Sequence, residues 1–175
     1  IASKVSVGPA SAEGRHIGPV VNAAQWHKIQ DLIQKGIDEG ARLVTGGVGR
    51  PEGLNKGFYV RPTVFADVTN DMTIAREEIF GPVLSIMKFD TEEDAVTIAN
   101  DTVYGLTNYV QSQDGARRNR LARQLRSGMV EMNGVGRSAG SPFGGMKQSG
   151  NGREGGLWGI EDFLEVKAVS GWAAE

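Results

Sequence analysis

Cysteine is absent from the 175 residues, and histidine occurs only twice, as His16 and His27. Without a thiol, these residues can form no disulfide scaffold, no thiolate metal site and no cysteine nucleophile. Neither histidine has an acidic residue at a spacing that a zinc site uses. The sequence therefore predicts no metal site, and we expect both histidines at the surface or at a helix cap.

An excess of one charge and a long apolar run are also lacking. The 19 basic and 21 acidic residues give a net charge of −2, which provides no overall attraction to nucleic acid or to an anionic membrane. No apolar run approaches the ~20 residues of a spanning helix, and the first residues lack the pattern of a signal peptide. We expect a cytoplasmic protein with no nucleic acid and no membrane partner. The start at Ile1 rather than Met indicates processing or a piece of a longer chain.

Glycine is abundant, at 25 of 175 residues, about twice the usual share of ~7%. Ten of these glycines lie between Gly134 and Gly159, and a long glycine-rich loop is predicted from Gly134 to Gly152. Hydrophobic residues at 39% and charged residues at 23% indicate a globular protein. The length suits one domain or most of a larger one.

The first half of the sequence predicts one helix followed by short strands. Gly40 is placed to end this helix, and one apolar face comprises Ile29, Leu32, Ile33, Gly36 and Ile37. Residues 43–44 and 58–68 favour strands, although Pro62 restricts part of the second to an edge or a bend.

The second half predicts strands and helices in alternation. Thr91 with Asp94 resembles a capping box, and Asp114 is placed to cap a further helix that Gly128 would end. Three predicted strands start 23 residues apart, at 83–89, 106–111 and 129–132. This spacing indicates two right-handed βαβ crossovers and part of a parallel sheet. The predicted fold class is therefore α/β, with helices covering the sheet.

Two other patterns favour structural over functional interpretations. Gly150-x-Gly152-x-x-Gly155 matches a dinucleotide-binding fingerprint, but no predicted strand precedes it, so we interpret these residues as loop glycines. Five arginines between Arg117 and Arg126 could contact phosphate. They spread around the helix without interleaved aromatic residues, which favours a solvated helix face.

The segment 77–83 carries the most specific chemistry. Two acids, an aromatic residue, a glycine and a proline lead directly into a predicted buried strand. A carboxylate at the mouth of a strand can accept hydrogen bonds from two neighbouring sugar hydroxyls, and an aromatic side chain beside it can pack on a flat ring. The same acids could instead form the first turn of a helix or a solvated pair, so the residues alone leave these alternatives open.

Four motifs in this sequence resemble the NAD(P)-dependent aldehyde dehydrogenase superfamily. They are, in the family's order, Glu77-Glu78-Ile79-Phe80-Gly81-Pro82-Val83, Tyr104-Gly105-Leu106-Thr107, Ser127-Gly128-Met129-Val130, and Ser141-Pro142-Phe143-Gly144-Gly145-Met146-Lys147-Gln148-Ser149-Gly150 followed by Gly152-Arg153-Glu154. The resemblance covers nearly the whole chain. It implies the C-terminal portion of the family's catalytic domain, with a three-layer αβα arrangement around a mainly parallel sheet.

The resemblance also implies a chemistry and a set of site residues. In this family a cysteine nucleophile forms a thiohemiacetal and then a thioester with the aldehyde, and a glutamate activates the deacylating water. Both would lie upstream of this chain, so no catalytic residue is expected here and the chain alone is expected to be inactive. Glu78 would hold the nicotinamide ribose of NAD or NADP, and Phe80 would pack near the ring. Phe143, Arg137 and Ser138 would line the entrance for a small-molecule aldehyde, with Arg137 facing an anionic substrate or solvent.

The end of the sequence predicts a helix over 153–163 and an alternating strand over 164–170. This strand resembles the terminal strand that family members contribute to an oligomerisation sheet, and an unpaired strand edge is a template for pairing. We therefore expect a partial catalytic domain over 1–163, an oligomerisation strand and tail over 164–175, and a homodimer or homotetramer. The alternative is a truncated, non-catalytic module with a role only in assembly.

Overall fold

The structure is a computed structural model that describes residues 2–173. The described residues divide between Asp90 and Thr91 into two compact units, called unit 1 and unit 2 below. Unit 1 contains, in chain order, α1 (Ala23–Asp38), β1 (Arg42–Thr45), β2 (Thr63–Ala66), α2 (Thr73–Arg76) and β3 (Val83–Ser85). Unit 2 contains α3 (Glu92–Asn100), β4 (Thr107–Val110), α4 (Gly115–Gln124), β5 (Met129–Met132) and α5 (Gly156–Glu161). Within residues 2–173, no helix has the length and apolarity to cross a bilayer.

Helix α1 supplies much of the core of unit 1. Asn22 caps its N-terminus, and Gly40 follows its C-terminus with a φ of +90°, a left-handed conformation that glycine adopts without strain. Ile29 and Ile33 are fully buried in one cluster with Phe65 of β2. Each such burial contributes roughly 1.5–3 kcal/mol. The predicted helix, its terminating glycine and most of its apolar face are confirmed, whereas Ile37, predicted for that face, is exposed at the last turn.

Unit 1 holds a three-stranded sheet in the order β1-β2-β3. Strands β1 and β2 are antiparallel, with a register shift between Leu43 and Thr45, whereas β2 and β3 are parallel. The strand predicted at 43–44 is confirmed. The one predicted within 58–68 begins after Pro62, which keeps the missing N–H of proline outside the ladder.

Unit 2 contains a complete βαβ crossover. Helix α4 connects β4 to β5, and these two strands pair in parallel along their full length. Both predicted caps are present: Thr91 and Asp94 form a reciprocal capping box on α3, and the Asp114 side chain accepts from the backbone N–H of Arg117 on α4. The second of the two predicted crossovers is therefore confirmed.

The first predicted crossover, from the strand at 83 to the strand at 106, is wrong as a sheet pairing. Among the described residues, β3 pairs with β2 in one sheet and β4 pairs with β5 in another. A spacing of 23 residues is long enough for a crossover, but it does not determine which strand lies beside which. The ladder of β3 is formed with β2, and β3 is only three residues long, shorter than the predicted 83–89.

Acidic side chains join neighbouring helices in each unit. In unit 1, the carboxylate of Glu39 accepts from the backbone N–H and the hydroxyl of Thr73, at 2.7 and 2.6 Å. In unit 2, Glu92 accepts from Arg117 and Arg120, each at 3.0 Å. The hydrogen bond from the Thr73 hydroxyl lowers the pKa of Glu39, and that from Arg120 lowers the pKa of Glu92. Two arginines of the basic run thus form ion pairs on a half-exposed helix face, in line with the solvated interpretation.

The end of the chain differs from the sequence expectation. Helix α5 covers six residues rather than the predicted 153–163, and residues 164–170 form no strand within the described part of the chain. A strand needs a neighbour for its ladder, and alternation of apolar residues along one chain end does not supply one. Phe163 and Val166 are 88% and 99% exposed. The division into 1–163 and 164–175 and the role of the tail in oligomerisation stay predictions.

Candidate functional site

The segment between α2 and β3 carries two exposed acids. Helix α2 ends at Arg76, and the backbone is extended at Glu77, with φ −100° and ψ 138°. The side chains of Glu77 and Glu78 are exposed, and within residues 2–173 neither carboxylate has a hydrogen bond or an ion pair. The alternative that these acids form the first turn of a helix is therefore wrong, because the helix precedes them.

Phe80 has an unusual backbone conformation. Its φ is +55°, in the left-handed region that a bulky side chain rarely adopts. Its ring is 72% exposed, whereas the neighbouring Ile79 is buried. Such conformations persist only where the surroundings enforce them, and they cluster at functional sites. Residues 78–81, called the 78–81 turn below, present an aromatic ring and a nearby free carboxylate to solvent.

Polar side chains of α1 are bonded to the backbone of this turn. The side-chain amide nitrogen of Gln25 donates to the carbonyl oxygens of Ile79 and Phe80, at 2.9 and 3.1 Å. The ammonium group of Lys28 donates to the carbonyl oxygen of Glu78 at 2.9 Å. One face of α1 thus holds three consecutive carbonyl groups.

Gly81 completes the contact by packing directly on α1. A Cβ atom added at Gly81 would lie 2.6 Å from Cδ1 of Ile29, which is shorter than any ordinary carbon contact. Because Ile29 is fully buried, it has little room to move away. The glycine of this motif is therefore explained by the close approach of the turn to the helix.

In unit 2, cationic side chains hold the glycine-rich loop. The guanidinium of Arg153 donates to the carbonyl oxygen of Gly145 at 2.6 Å. The ammonium of Lys147 donates to the carbonyl oxygens of Asn100, the last residue of α3, and Thr102, at 3.1 and 2.9 Å. These two basic residues of the last motif therefore position backbone rather than bind a ligand.

Gly128 has a different role from the one expected. Helix α4 ends at Gln124, so Gly128 does not terminate it. A Cβ added at Gly128 would lie within 1.9 Å of the carbonyl oxygen of Gly144, and the N–H of Gly128 donates to the carbonyl oxygen of Gly105. Three glycines from three of the motifs thus meet through their backbones.

The predicted substrate residues all lie in unit 2. The guanidinium carbon of Arg137 is 5.2 Å from the ring centre of Phe143, a cation–π contact. Arg137 and Ser138 line a cavity of about 600 Å³ beside β5, whereas Phe143 lines a separate cavity of about 380 Å³. Glu78 and Phe80 belong to unit 1, so the predicted cofactor residues and the predicted substrate residues lie in different units.

The histidines and the glycine fingerprint have structural surroundings. A ring nitrogen of His16 is 2.8 Å from the carbonyl oxygen of Pro9, and the ring of His27 packs edge-on against Trp26. No group of three or more histidines and acids suited to a metal ion occurs among the described residues. A 3-10 turn, Lys147–Ser149, precedes Gly150 where a dinucleotide fingerprint would need a strand.

Sequence reasoning missed Gln25 and Lys28. With Ile29 they share one face of α1, at i, i+3 and i+4. That spacing could have indicated a common contact surface. Their partners lie 50 to 55 residues further along the chain, and no pattern in the sequence links segments at that distance.

Comparisons with known proteins identify the family. The sequence profile of the aldehyde dehydrogenase family matches residues 1–169. A putative aldehyde dehydrogenase of Staphylococcus epidermidis is 51% identical over 170 residues, which are 97% of this chain and 36% of that protein. The chain therefore belongs to the aldehyde dehydrogenase family, and it spans about 36% of the length of the curated relatives it matches.

Solved structures of aldehyde dehydrogenases also match this chain. An aldehyde dehydrogenase from Bartonella henselae is 64% identical, with a TM-score of 0.96, over 98% of this chain and 36% of that one. Aldehyde dehydrogenase C from Pseudomonas syringae, a mutant complexed with NAD+ and octanal, is 50% identical, with a TM-score of 0.95, over 99% of this chain and 36% of that one. A Mycobacterium tuberculosis aldehyde dehydrogenase complexed with NAD+ is 49% identical, with a TM-score of 0.91, over 99% of this chain and 36% of that one. The α/β fold class implied by the resemblance is confirmed.

The contact of Gly81 with α1 predicts a specific sensitivity. Gly81→Ala is expected to lower the free energy of unfolding of this chain by about 1–3 kcal/mol, because the new methyl group must displace a buried side chain. Denaturant unfolding of the purified chain measures this change.

Ile29→Val supplies the matched background, since it removes Cδ1, the atom nearest to the added methyl group. Gly81→Ala should therefore destabilise the Ile29→Val protein less than it destabilises the original chain. Equal losses in both backgrounds would contradict the contact.

Proposed function

We propose that this chain forms the C-terminal part of the catalytic domain of an NAD(P)-dependent aldehyde dehydrogenase. The longer enzyme would oxidise a small-molecule aldehyde to a carboxylate in the cytoplasm. Family membership and the coverage of about 36% of the relatives' length support this proposal. The lack of cysteine in the 175 residues also fits it, because the nucleophile would lie in the remainder of the enzyme.

The observation that carries the proposal is the 78–81 turn. An ionised carboxylate without a protein partner, such as that of Glu78, can accept hydrogen bonds from two adjacent ribose hydroxyls. Phe80 is exposed on a strained backbone, where its ring is free to pack on a flat heterocycle. The residues present therefore fit a nicotinamide nucleotide, and NAD+ is bound in two of the solved relatives. When bound, NAD or NADP would supply the acceptor for the aldehyde hydride.

The contribution of this chain to the reaction is positional. In the proposed enzyme, a cysteine outside these residues forms a thiohemiacetal and then a thioester with the substrate, and a glutamate outside them activates the hydrolytic water. Glu78 orients the ribose, and Phe80 limits the movement of the ring attached to it. Orientation of this kind matters because a displacement of ~1 Å at the reacting atoms can cost ~100-fold in rate.

Arg137, Ser138 and Phe143 are proposed to line the aldehyde entrance. Between Gly134 and Ser141 the loop consists mainly of small residues, and Arg137 is its only charged residue. The cation–π contact places the Arg137 guanidinium over the Phe143 ring, and the charge of Arg137 would face an anionic substrate or solvent. The complex of the Pseudomonas syringae relative with octanal supports a sizeable apolar aldehyde.

The chain end is proposed to mediate assembly into a homodimer or homotetramer. Val166 is 99% exposed and Val169 is 57% exposed, and residues 164–169 form no strand or bridge within the described chain. A segment with alternating apolar residues gains both hydrogen bonds and burial when it joins the edge of another sheet as a strand.

The first experiment compares this chain with the longer protein. We expect the longer protein to reduce NAD+ or NADP+ in the presence of aldehydes, and we expect the 175-residue chain alone to show no turnover, because it has no thiol. Absorbance of the reduced cofactor measures both. Turnover by the 175-residue chain would overturn the proposal that the nucleophile lies outside these residues. A longer protein that lacks a cysteine nucleophile and assembles without oxidising aldehydes would favour the non-catalytic assembly module.

The second experiment tests Glu78 in the longer enzyme. Glu78→Gln keeps the size of the side chain but removes its charge and one acceptor. Hydride transfer is expected to slow by up to ~100-fold because the ring is less well placed, while cofactor affinity falls less, since the rest of the dinucleotide is still held. A deuterated aldehyde should then show a larger isotope effect on kcat than in the original enzyme.

Glu77→Gln is the matched control for Glu78→Gln. It makes the same chemical change one residue earlier, on a side chain that is also exposed and unpaired in the described chain. We expect it to leave hydride transfer unchanged. If Glu77→Gln slowed hydride transfer and Glu78→Gln did not, the ribose would be held by the other carboxylate. If neither did, the ribose contact would be excluded.

The third experiment tests assembly. Replacement of Val166 and Val169 by lysine should dissociate the oligomer of the longer enzyme while its protomer remains folded, because charged side chains are costly to bury at a strand edge. Light scattering gives the mass and circular dichroism the fold. An unchanged oligomer mass would show that this segment lies outside the interface.

A further inference from the structure

The left-handed conformation of Phe80 needs a restraint from outside the residue. A bulky side chain with φ near +55° is strained. Its ring is mostly exposed, so packing of the ring contributes little to holding this conformation. The restraint therefore has to act on the backbone of the 78–81 turn.

The two hydrogen bonds from Gln25 act at the required place. The carbonyls of Ile79 and Phe80 belong to the two peptide groups on either side of the Phe80 Cα atom. Their relative orientation is set by φ and ψ of Phe80 alone. A single side-chain amide bonded to both carbonyls therefore restricts these two angles directly.

The position of Gln25 is itself well defined. It lies in the first turn of α1, where its backbone N–H is bonded to the side chain of the capping residue Asn22 at 2.9 Å. The buried Ile29, one turn further along the same face, anchors the helix in the core. The amide of Gln25 is thus presented from a rigid element to a strained turn.

We propose that Gln25 is a positioning residue, which fixes the 78–81 turn in the conformation that presents Glu78 and Phe80 to a nicotinamide nucleotide. Gln25 acts through the two backbone carbonyls and not through contact with the reacting atoms. Lys28 assists by its bond to the carbonyl of Glu78. The catalytic part of this inference rests on the proposed function.

The test replaces Gln25 by methionine in the longer enzyme. Gln25→Met keeps the length and neutrality of the side chain and removes both N–H donors. Gln34→Met is the matched control, because Gln34 lies on the same helix and its amide donates to Asp38 at 2.8 Å, on an exposed face away from the turn.

Two kinds of measurement are needed. The first is hydrogen exchange of peptides covering residues 78–82 in the enzyme without cofactor, which reports how firmly the turn is held. Loss of the two bonds is expected to accelerate exchange there by about tenfold or more. The second is the dissociation constant for NAD+, together with the deuterium isotope effect on kcat with a deuterated aldehyde.

The expected result for Gln25→Met is faster exchange at 78–82, a larger isotope effect and only a small rise in the dissociation constant for NAD+, with none of these changes in Gln34→Met. Unchanged exchange at 78–82 would overturn the inference. Faster exchange with an unchanged isotope effect would also overturn it, because the turn would then be held without consequence for the reaction.

A separate outcome distinguishes the inference from the function on which it rests. If the original longer enzyme bound NAD+ but oxidised no aldehyde, the proposed function would fail. Exchange at 78–82 and the affinity for NAD+ would then decide whether Gln25 organises a nucleotide-binding turn, with unchanged values in Gln25→Met counting against it.

Discussion

The packing of helix α1 against the 78–81 turn determines the candidate site of unit 1. Ile29 is fully buried in the core cluster and also touches Gly81. Gln25, one turn earlier on the same face, bonds to the turn itself. The apolar burial that fixes α1 on the sheet, roughly 1.5–3 kcal/mol for a side chain such as Ile29, therefore also fixes the surface that presents Glu78 and Phe80. Stability and site geometry are coupled here through one helix face.

In unit 2, the glycine-rich loop is also fixed in position, but by backbone contacts and cationic side chains rather than by one helix face. The loop is held by contacts between backbones, such as that of Gly128 with Gly144, and by the guanidinium and ammonium groups of Arg153 and Lys147 on carbonyl oxygens. Peptide groups can approach this closely only where a side chain is absent. The abundance of glycine in this part of the sequence therefore serves close packing at several positions.

Local features of the fold could be predicted from the sequence, whereas long-range features could not. The capping box of Thr91 and Asp94, the cap at Asp114 and strand β5 depend on residues within a few positions of each other, and they were predicted correctly. The partner of β3 depends on a segment about 20 residues earlier, and neither a spacing nor an alternation contains that information. The same holds for residues 164–170, whose alternation predicts a strand only if an edge is available to them.

In the candidate site, too, the local motif could be recognised in the sequence and the long-range contact could not. Glu78 and Phe80 were predicted from the resemblance of the motif to the aldehyde dehydrogenase family, because an acid and an aromatic residue before a strand left several interpretations open; their roles stay predictions. The contact with Gln25 spans 54 residues, so the restraint on the turn became visible only in three dimensions.

Shifted pKa values do not locate this site, and the reason is physical. Three of the carboxyls whose pKa values are lowered are bonded to other elements: Glu39 by Thr73, Asp67 by Arg42 and Glu92 by Arg120. They hold helices and strands together, and their stabilising contribution is lost as the pH falls below the usual range of a carboxyl group. A carboxylate that binds the hydroxyls of a ligand needs no hydrogen-bond or ion-pair partner in the free protein. In a chain whose proposed role is to position a cofactor, Glu78 is distinguished by being exposed and unpaired in the described chain and by lying beside the strained backbone of Phe80.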